Sequence, residues 1–126
     1  MKLKELQPNA YYDQQVGTPA VIQADNDGSF LFRYNIEEWK EIEEDGKEVQ
    51  KGWKCREIRI WQQPSKATLK GAIVRSIVDE TEEFSLVNSY NKHILAIAVD
   101  EEAVVKYKEF LLMTEEIDAL LKQTFA

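Results

Sequence analysis

Ser89 and His93 are the first residues whose types and spacing could do chemistry, and His93 is the only histidine of the chain. Side chains four residues apart on a helix lie on the same face, so the two could meet. A histidine base beside a serine nucleophile is typical of hydrolases. That mechanism also needs an orienting acid and an oxyanion hole, which usually come from separate loops. We therefore rank a small hydrolase third among the functions considered.

The single cysteine, Cys55, is the other candidate for reactive chemistry. One cysteine excludes an internal disulfide and a cysteine-rich zinc site. Lys54 and Arg56 flank it, and neighbouring cations lower a thiol pKa. Its place inside a strand pattern instead favours a small buried apolar residue.

A short acidic loop, residues 25–28, is similar to part of a calcium-binding loop. Alignment of Gly28 with the invariant glycine of that motif places Gln23 and Tyr34 at the first and last ligand positions. Both positions need carboxylate or similar oxygen ligands, so the motif does not match. A tight hairpin turn explains the same residues, and we expect no metal and no cofactor.

Residues 47–61 carry five basic and two acidic side chains in an otherwise acidic chain. Trp53 and Trp61 are interspersed among these cations, and Lys54 and Arg56 lie near the middle of the stretch, on either side of Cys55. Such a strand could stack bases and contact phosphates. The favoured interpretation is that the cations protect a sheet edge while the tryptophans fill a core. A nucleic-acid or anionic-ligand binding module is therefore the second function considered.

The composition indicates a soluble protein of ordinary domain size. The chain has 126 residues, of which 44% are hydrophobic and 31% charged, and its net charge is −7. No apolar run approaches the roughly 20 residues of a membrane span, and the N-terminus lacks the apolar core of a signal peptide. An acidic surface argues against nucleic-acid and anionic-membrane partners, because both need a cationic surface. We expect a cytoplasmic location.

Residues 19–62 have the pattern of an antiparallel β-meander. Two Asp-Gly pairs, which end at Gly28 and Gly46, supply hairpin turns between strands rich in aromatic residues. The apolar alternation changes phase near Glu37 and Glu38, which indicates a β-bulge. Residues 1–18 show little periodicity.

Residues 65–125 have the pattern of three helices. Ser65, Asp79 and Asp100 each precede a helical stretch and can cap its first turn. Residues 94–99 are all apolar and fit either a helix end or a buried connector. These features predict one α+β domain over residues 1–126, with the meander first and the helices after it.

The last helix carries a broad apolar band, wider than one helix–sheet contact requires. The band comprises Val104, Tyr107, Phe110, Leu111, Met113, Ile117, Leu120 and Leu121. An apolar side chain that does not face its own domain favours self-association or a protein partner. The candidate interaction surface is therefore Phe110, Met113 and Leu120, together with Trp53, Lys54 and Arg56 of the basic strand.

Three stretches resemble a group of small uncharacterised proteins encoded in prophage regions of gut anaerobic bacteria. They are residues 52–61, residues 86–91 and residues 107–111, and the resemblance extends over roughly residues 52–126. It implies a phage or mobile-element context, with a location in the cytoplasm of the host cell or on the virion, and no catalytic residue. The leading function is therefore a non-enzymatic phage-related structural or assembly protein that acts through protein–protein contacts.

Overall fold

The computed structural model describes residues 2–126, which form two compact units. Leu6–Pro64 form a sheet unit, and residues 2–5 with Ser65–Ala126 form a helical unit. The strands are Ala10–Asp13 (β1), Ile22–Ala24 (β2), Phe30–Ile42 (β3) and Glu48–Ile60 (β4). The helices are Lys66–Ile77 (α1), Glu80–Ile94 (α2) and Glu101–Thr124 (α3). The predicted α+β fold, an antiparallel sheet followed by three helices, is confirmed.

The sheet has the order β1-β4-β3-β2, and every neighbouring pair is antiparallel. Strands β2, β3 and β4 form the expected meander. Strand β1, which the sequence pattern did not reveal, pairs with the other edge of β4. A Cβ atom on Gly52 would lie 1.9 Å from the carbonyl oxygen of Tyr12. Glycine at this position therefore allows β1 to approach β4 closely.

The predicted bulge lies in β3. Tyr34 pairs with Arg56 and Glu37 with Lys54, so β3 carries one more residue than β4 in this interval. Asn35 in the bulge has φ 54°, and asparagine tolerates this left-handed region better than most residues. The bulge explains the change of phase, because residues on either side of it present opposite parities to the same face.

In the helical unit, α1 and α2 lie one after the other along α3, and both run antiparallel to it. Lys70 of α1 pairs with Asp118 near the end of α3 at 2.8 Å. The rings of Tyr90 in α2 and Tyr107 in the first half of α3 stack with centroids 4.9 Å apart. The buried residues of the helices are Leu69, Ile73 and Val74 of α1, and Ala103, Phe110, Met113, Ile117 and Leu121 of α3. Leu3 and Val78 of the same unit are buried as well. None of the described helices is long and apolar enough to cross a membrane.

All three predicted caps are present. Ser65 and Asp79 form capping boxes with Thr68 and Glu82, and the Asp100 carboxylate accepts two backbone N–H groups at the start of α3. These bonds satisfy donors that the first helical turn leaves without partners.

Helix α2 ends in a Schellman motif. The N–H of Ile97 donates to the carbonyl of Lys92 at 2.9 Å, and Ala96 has φ 58°. This left-handed position is usually glycine, because a Cβ atom there approaches the following carbonyl oxygen. The left-handed backbone conformation of Ala96 therefore lowers the stability of the folded state relative to glycine at the same position.

We expect the variant Ala96→Gly to be more stable than the wild type by about 1 kcal/mol, because glycine adopts positive φ without that cost. Denaturant unfolding followed by circular dichroism measures the difference. The matched control is Ala98→Gly, two residues later in the same connection and without positive φ. Equal effects of the two substitutions, or destabilisation by Ala96→Gly, would contradict the expectation.

Candidate interaction surface

The structure divides the predicted apolar band of α3 between two sides of the helix. Phe110 and Met113 are buried, so neither is part of an exposed surface, and their place in the predicted interaction surface needs correction. Their spacing puts them on the side of α3 that also carries the buried Ile117. Leu120 is half-buried.

The opposite side of α3 is exposed and carries aliphatic residues, and we call it the outer stripe. Val104, Val105, Leu111 and Leu112 on this side are 36–55% exposed. At 3.6 residues per turn, ten exposed positions fall within roughly 120° of the helix surface. They are Glu101, Val104, Val105, Lys108, Leu111, Leu112, Glu115, Ala119, Lys122 and Gln123. The apolar band predicted from the sequence included Val104 and Leu111. Because that band covers much of the helix surface, the sequence alone did not show which of its residues face outward.

The connection between α2 and α3 is the second exposed apolar surface, and we call residues 94–99 the apolar tip. Its four large side chains are 60–77% exposed, more than any on the outer stripe. They are Ile94, Leu95, Ile97 and Val99. The expectation of a helix end is confirmed by the Schellman motif, whereas a buried connector is not what the structure has.

The backbone of the apolar tip is held by hydrogen bonds that do not involve its aliphatic side chains. His93 Nδ1 accepts the backbone N–H of Asp100 at 3.0 Å, and the Asp100 carboxylate caps α3. The tip is thus a turn with a defined conformation, closed at both ends by polar groups.

Ser89 and His93, the pair considered for hydrolysis, have different surroundings. Ser89 lines a groove of about 380 Å³ between α2 and α3, with Leu86 and Phe110 among the other lining residues. His93 accepts a hydrogen bond at Nδ1, so in its neutral form the proton is on Nε2. Within residues 2–126, no hydrogen bond joins the two side chains, and no group of three metal-ligating side chains could hold an ion.

Four of the five cations of the basic strand, all except Lys47, are paired or hydrogen-bonded. Lys51 contacts Glu43 at 2.7 Å, Lys54 contacts Glu37 at 3.7 Å, Arg59 contacts Asp25 at 3.0 Å, and Arg56 donates to the carbonyl of Gln7 at 3.3 Å. Residues alternate between the two faces of a strand, so Trp53 lies on the face opposite to Lys54 and Arg56. All three are half-buried. The proposed combination of tryptophan and neighbouring cations is therefore split between two faces.

A polar cluster in the sheet unit was not anticipated from the sequence. Arg33 is only 3% exposed, and its Nε donates to Glu57 Oε1 at 2.8 Å. Its Nη2 donates to the hydroxyl of Tyr12 at 3.0 Å, and its Nη1 donates to the carbonyl of Ala20 at 2.9 Å. The Tyr12 hydroxyl donates in turn to Glu57, and the guanidinium carbon lies 4.7 Å from the Tyr12 ring centre.

Within this cluster the pKa values of Tyr12 and Arg33 are both raised, so both groups keep their protons. Partial burial and the hydrogen bond to Glu57 raise the pKa of Tyr12, so its hydroxyl keeps its proton. Burial acts to lower the pKa of Arg33, but its bonds to Glu57 and Tyr12 outweigh that effect and raise it. The cluster is therefore a neutralised, internally bonded group rather than a free charge.

The structure also decides between the two interpretations of Cys55. The side chain is fully buried, and burial raises its thiol pKa. The interpretation as a small buried apolar residue is confirmed, and the lowered pKa suggested by Lys54 and Arg56 is wrong. The cations occupy the other strand face, so they do not point at the sulfur.

We expect Arg33→Met to destabilise the protein by about 3 kcal/mol, because it leaves Glu57 and Tyr12 partly buried without their cation. The double variant Arg33→Met/Glu57→Leu should lose less than Arg33→Met alone. Denaturant unfolding gives these free energies. The control is Lys51→Met, which removes an exposed ion pair and should cost no more than about 1 kcal/mol. Similar losses of unfolding free energy in Arg33→Met and Lys51→Met would argue against a structural role for the cluster.

The Cys55 thiol should react with a soluble disulfide reagent on the order of 100-fold more slowly in the native protein than in denaturant. The reason is that a buried thiol must wait for an opening of the structure. Absorbance of the released thiolate follows the reaction, with glutathione as the reference for an accessible thiol. Equal native and denatured rates would show that the thiol is accessible.

No protein-family model, curated protein or solved structure matches this chain. The function is therefore inferred from the two exposed apolar surfaces, the outer stripe of α3 and the apolar tip.

Proposed function

We propose that this chain is a non-enzymatic, phage-related structural or assembly protein that acts by binding another protein. The observation that carries the proposal is the apolar tip, with four large aliphatic side chains that are 60–77% exposed. The phage context is supported by the resemblance of residues 52–126 to prophage-encoded proteins. A location in the host cytoplasm, or on the virion, belongs to the same proposal.

The hydrogen bonds that close the turn do not involve the aliphatic side chains of the tip. The turn is closed by backbone bonds of the Schellman motif and by the bond between His93 and Asp100. Polar residues would fill the same exposed positions without loss of those bonds. Large apolar side chains in water instead favour contact with another surface, at about 25 cal/mol per Å² of apolar area removed from water.

Nucleic-acid or anionic-ligand binding through residues 47–61 is the alternative function. It requires an uncompensated cationic footprint. The pairs of Lys51, Lys54 and Arg59 with acidic side chains, and a net charge of −7, weigh against it. Protein binding is therefore the stronger proposal.

A capture experiment with the full chain tests the proposed function. Immobilised wild-type protein should retain specific proteins from a lysate of cells in which a prophage has been induced. The variant Ile97→Asp should lose them by at least about tenfold, because a charge in the contact must be desolvated. The control is Ile42→Asp, at an aliphatic residue of the sheet unit that is 78% exposed, compared with 71% for Ile97.

Quantitative mass spectrometry compares the three samples, and circular dichroism verifies that each variant is folded. Proteins retained by the wild type and by Ile42→Asp, but not by Ile97→Asp, would support binding through the apolar tip. Identical retention by all three proteins, or no specific retention by any, would refute it.

A further inference from the structure

We propose that α3 pairs in antiparallel orientation with α3 of a second copy of this chain through the outer stripe. The inference rests on the proposed function, action through protein contacts, and names one partner. It uses a surface different from the apolar tip, so each can be tested alone.

The outer stripe has the composition of a contact surface. Val104, Val105, Leu111 and Leu112 supply two aliphatic pairs separated by seven residues, or two helical turns. The buried side of α3 faces the opposite direction, since Ala103, Phe110 and Ile117 lie about half a turn away. The aliphatic pairs are therefore available to another molecule without any change in the fold of the helical unit.

Charge along the stripe alternates in sign with a period of seven residues. The series is Glu101, Lys108, Glu115 and Lys122, and all four side chains are exposed. Seven residues make almost two turns, so the four lie on nearly the same line along the helix. Within the part of the chain that the structure describes, none of the four forms an ion pair, whereas Lys106 and Glu102 beside the stripe pair with each other at 3.6 Å.

This alternation selects the orientation of two identical helices. In a parallel pair with matched ends, each charged residue would meet its own copy, and every contact would be repulsive. In an antiparallel pair with a two-fold axis between Leu111 and Leu112, Lys108 lies beside Glu115 of the second copy. Glu101 then lies beside Lys122. The symmetry repeats each contact, so the pairing gains four attractive charge contacts.

The same axis brings the aliphatic residues together. Leu111 and Leu112 lie at the centre of the contact and meet their counterparts. Val104 and Val105, nearer the start of α3, face the region of Ala119 in the second copy, where the small side chain leaves room. Apolar contacts supply most of the affinity and the charges set the direction. A single helix pair is at the small end of protein interfaces, so the dimer should depend on concentration.

Charge reversal on the full-length protein tests the pairing. Sedimentation equilibrium over a concentration series gives the dimer dissociation constant of the wild type and of Lys108→Glu, Glu115→Lys and the double variant. Each single variant places like charges together twice, so its dimer should be at least about tenfold weaker. The double variant Lys108→Glu/Glu115→Lys restores opposite charges and should recover the wild-type constant.

The control is Lys66→Glu, which changes the net charge by the same amount at an exposed position of α1. Its dimer should match the wild type. The two single variants mixed in equal amounts should form a heterodimer, because each supplies the charge the other lacks.

A wild-type chain that stays monomeric at all concentrations would overturn the proposal. So would single variants that dimerise as the wild type does, which is the outcome for a parallel pair. Failure of the double variant to recover would also overturn it. These results are independent of the apolar tip, because Ile97→Asp should leave the dimer unchanged. Loss of partner capture with an intact dimer, or the reverse, therefore separates the proposed function from this inference.

Discussion

The arrangement of the helical unit depends on the length of α3. Its 24 residues span about 36 Å, enough for both α1 and α2 to lie along it in sequence. Helix α1 contacts the second half of α3 through Lys70 and Asp118, and α2 contacts its first half through Tyr90 and Tyr107. The buried residues of α3 lie on one side of the helix. The other side is left without a partner in this unit. The exposed aliphatic residues of the outer stripe are a direct consequence.

The sheet unit depends in the same way on one buried cation. A guanidinium removed from water is costly unless its donors are satisfied and its charge is balanced. Arg33 meets this condition through Glu57 of β4, Tyr12 of β1 and the carbonyl of Ala20 before β2. One side chain of β3 therefore binds three other parts of the chain. The short strand β1, only four residues long, is stabilised by this contact as well as by its ladder with β4.

Local signals made the main elements predictable from the sequence. Glycines at positive φ mark the two hairpin turns, and caps such as Asp79 act within a few residues, so both can be recognised without tertiary information. Strand β1 could not be found, because four residues carry no usable period. The Arg33 cluster could not be found either, since residues 12, 33 and 57 meet only through strand register. The band on α3 was recognised, but Phe110 and Met113 could not be assigned a side before the positions of α1 and α2 were known.

The two exposed surfaces differ in what they can bind. The outer stripe is self-complementary under a two-fold rotation, as a contact between identical chains must be. The apolar tip has no charge pattern and no symmetry, so it is suited to a different protein. In the proposed dimer, antiparallel pairing places the two tips at opposite ends of the paired helices, separated by about the 36 Å length of α3. Such a dimer would present two identical binding surfaces, which suits the proposed role at an assembly with repeated subunits. Simultaneous engagement would then raise the effective affinity without any additional contact within the chain.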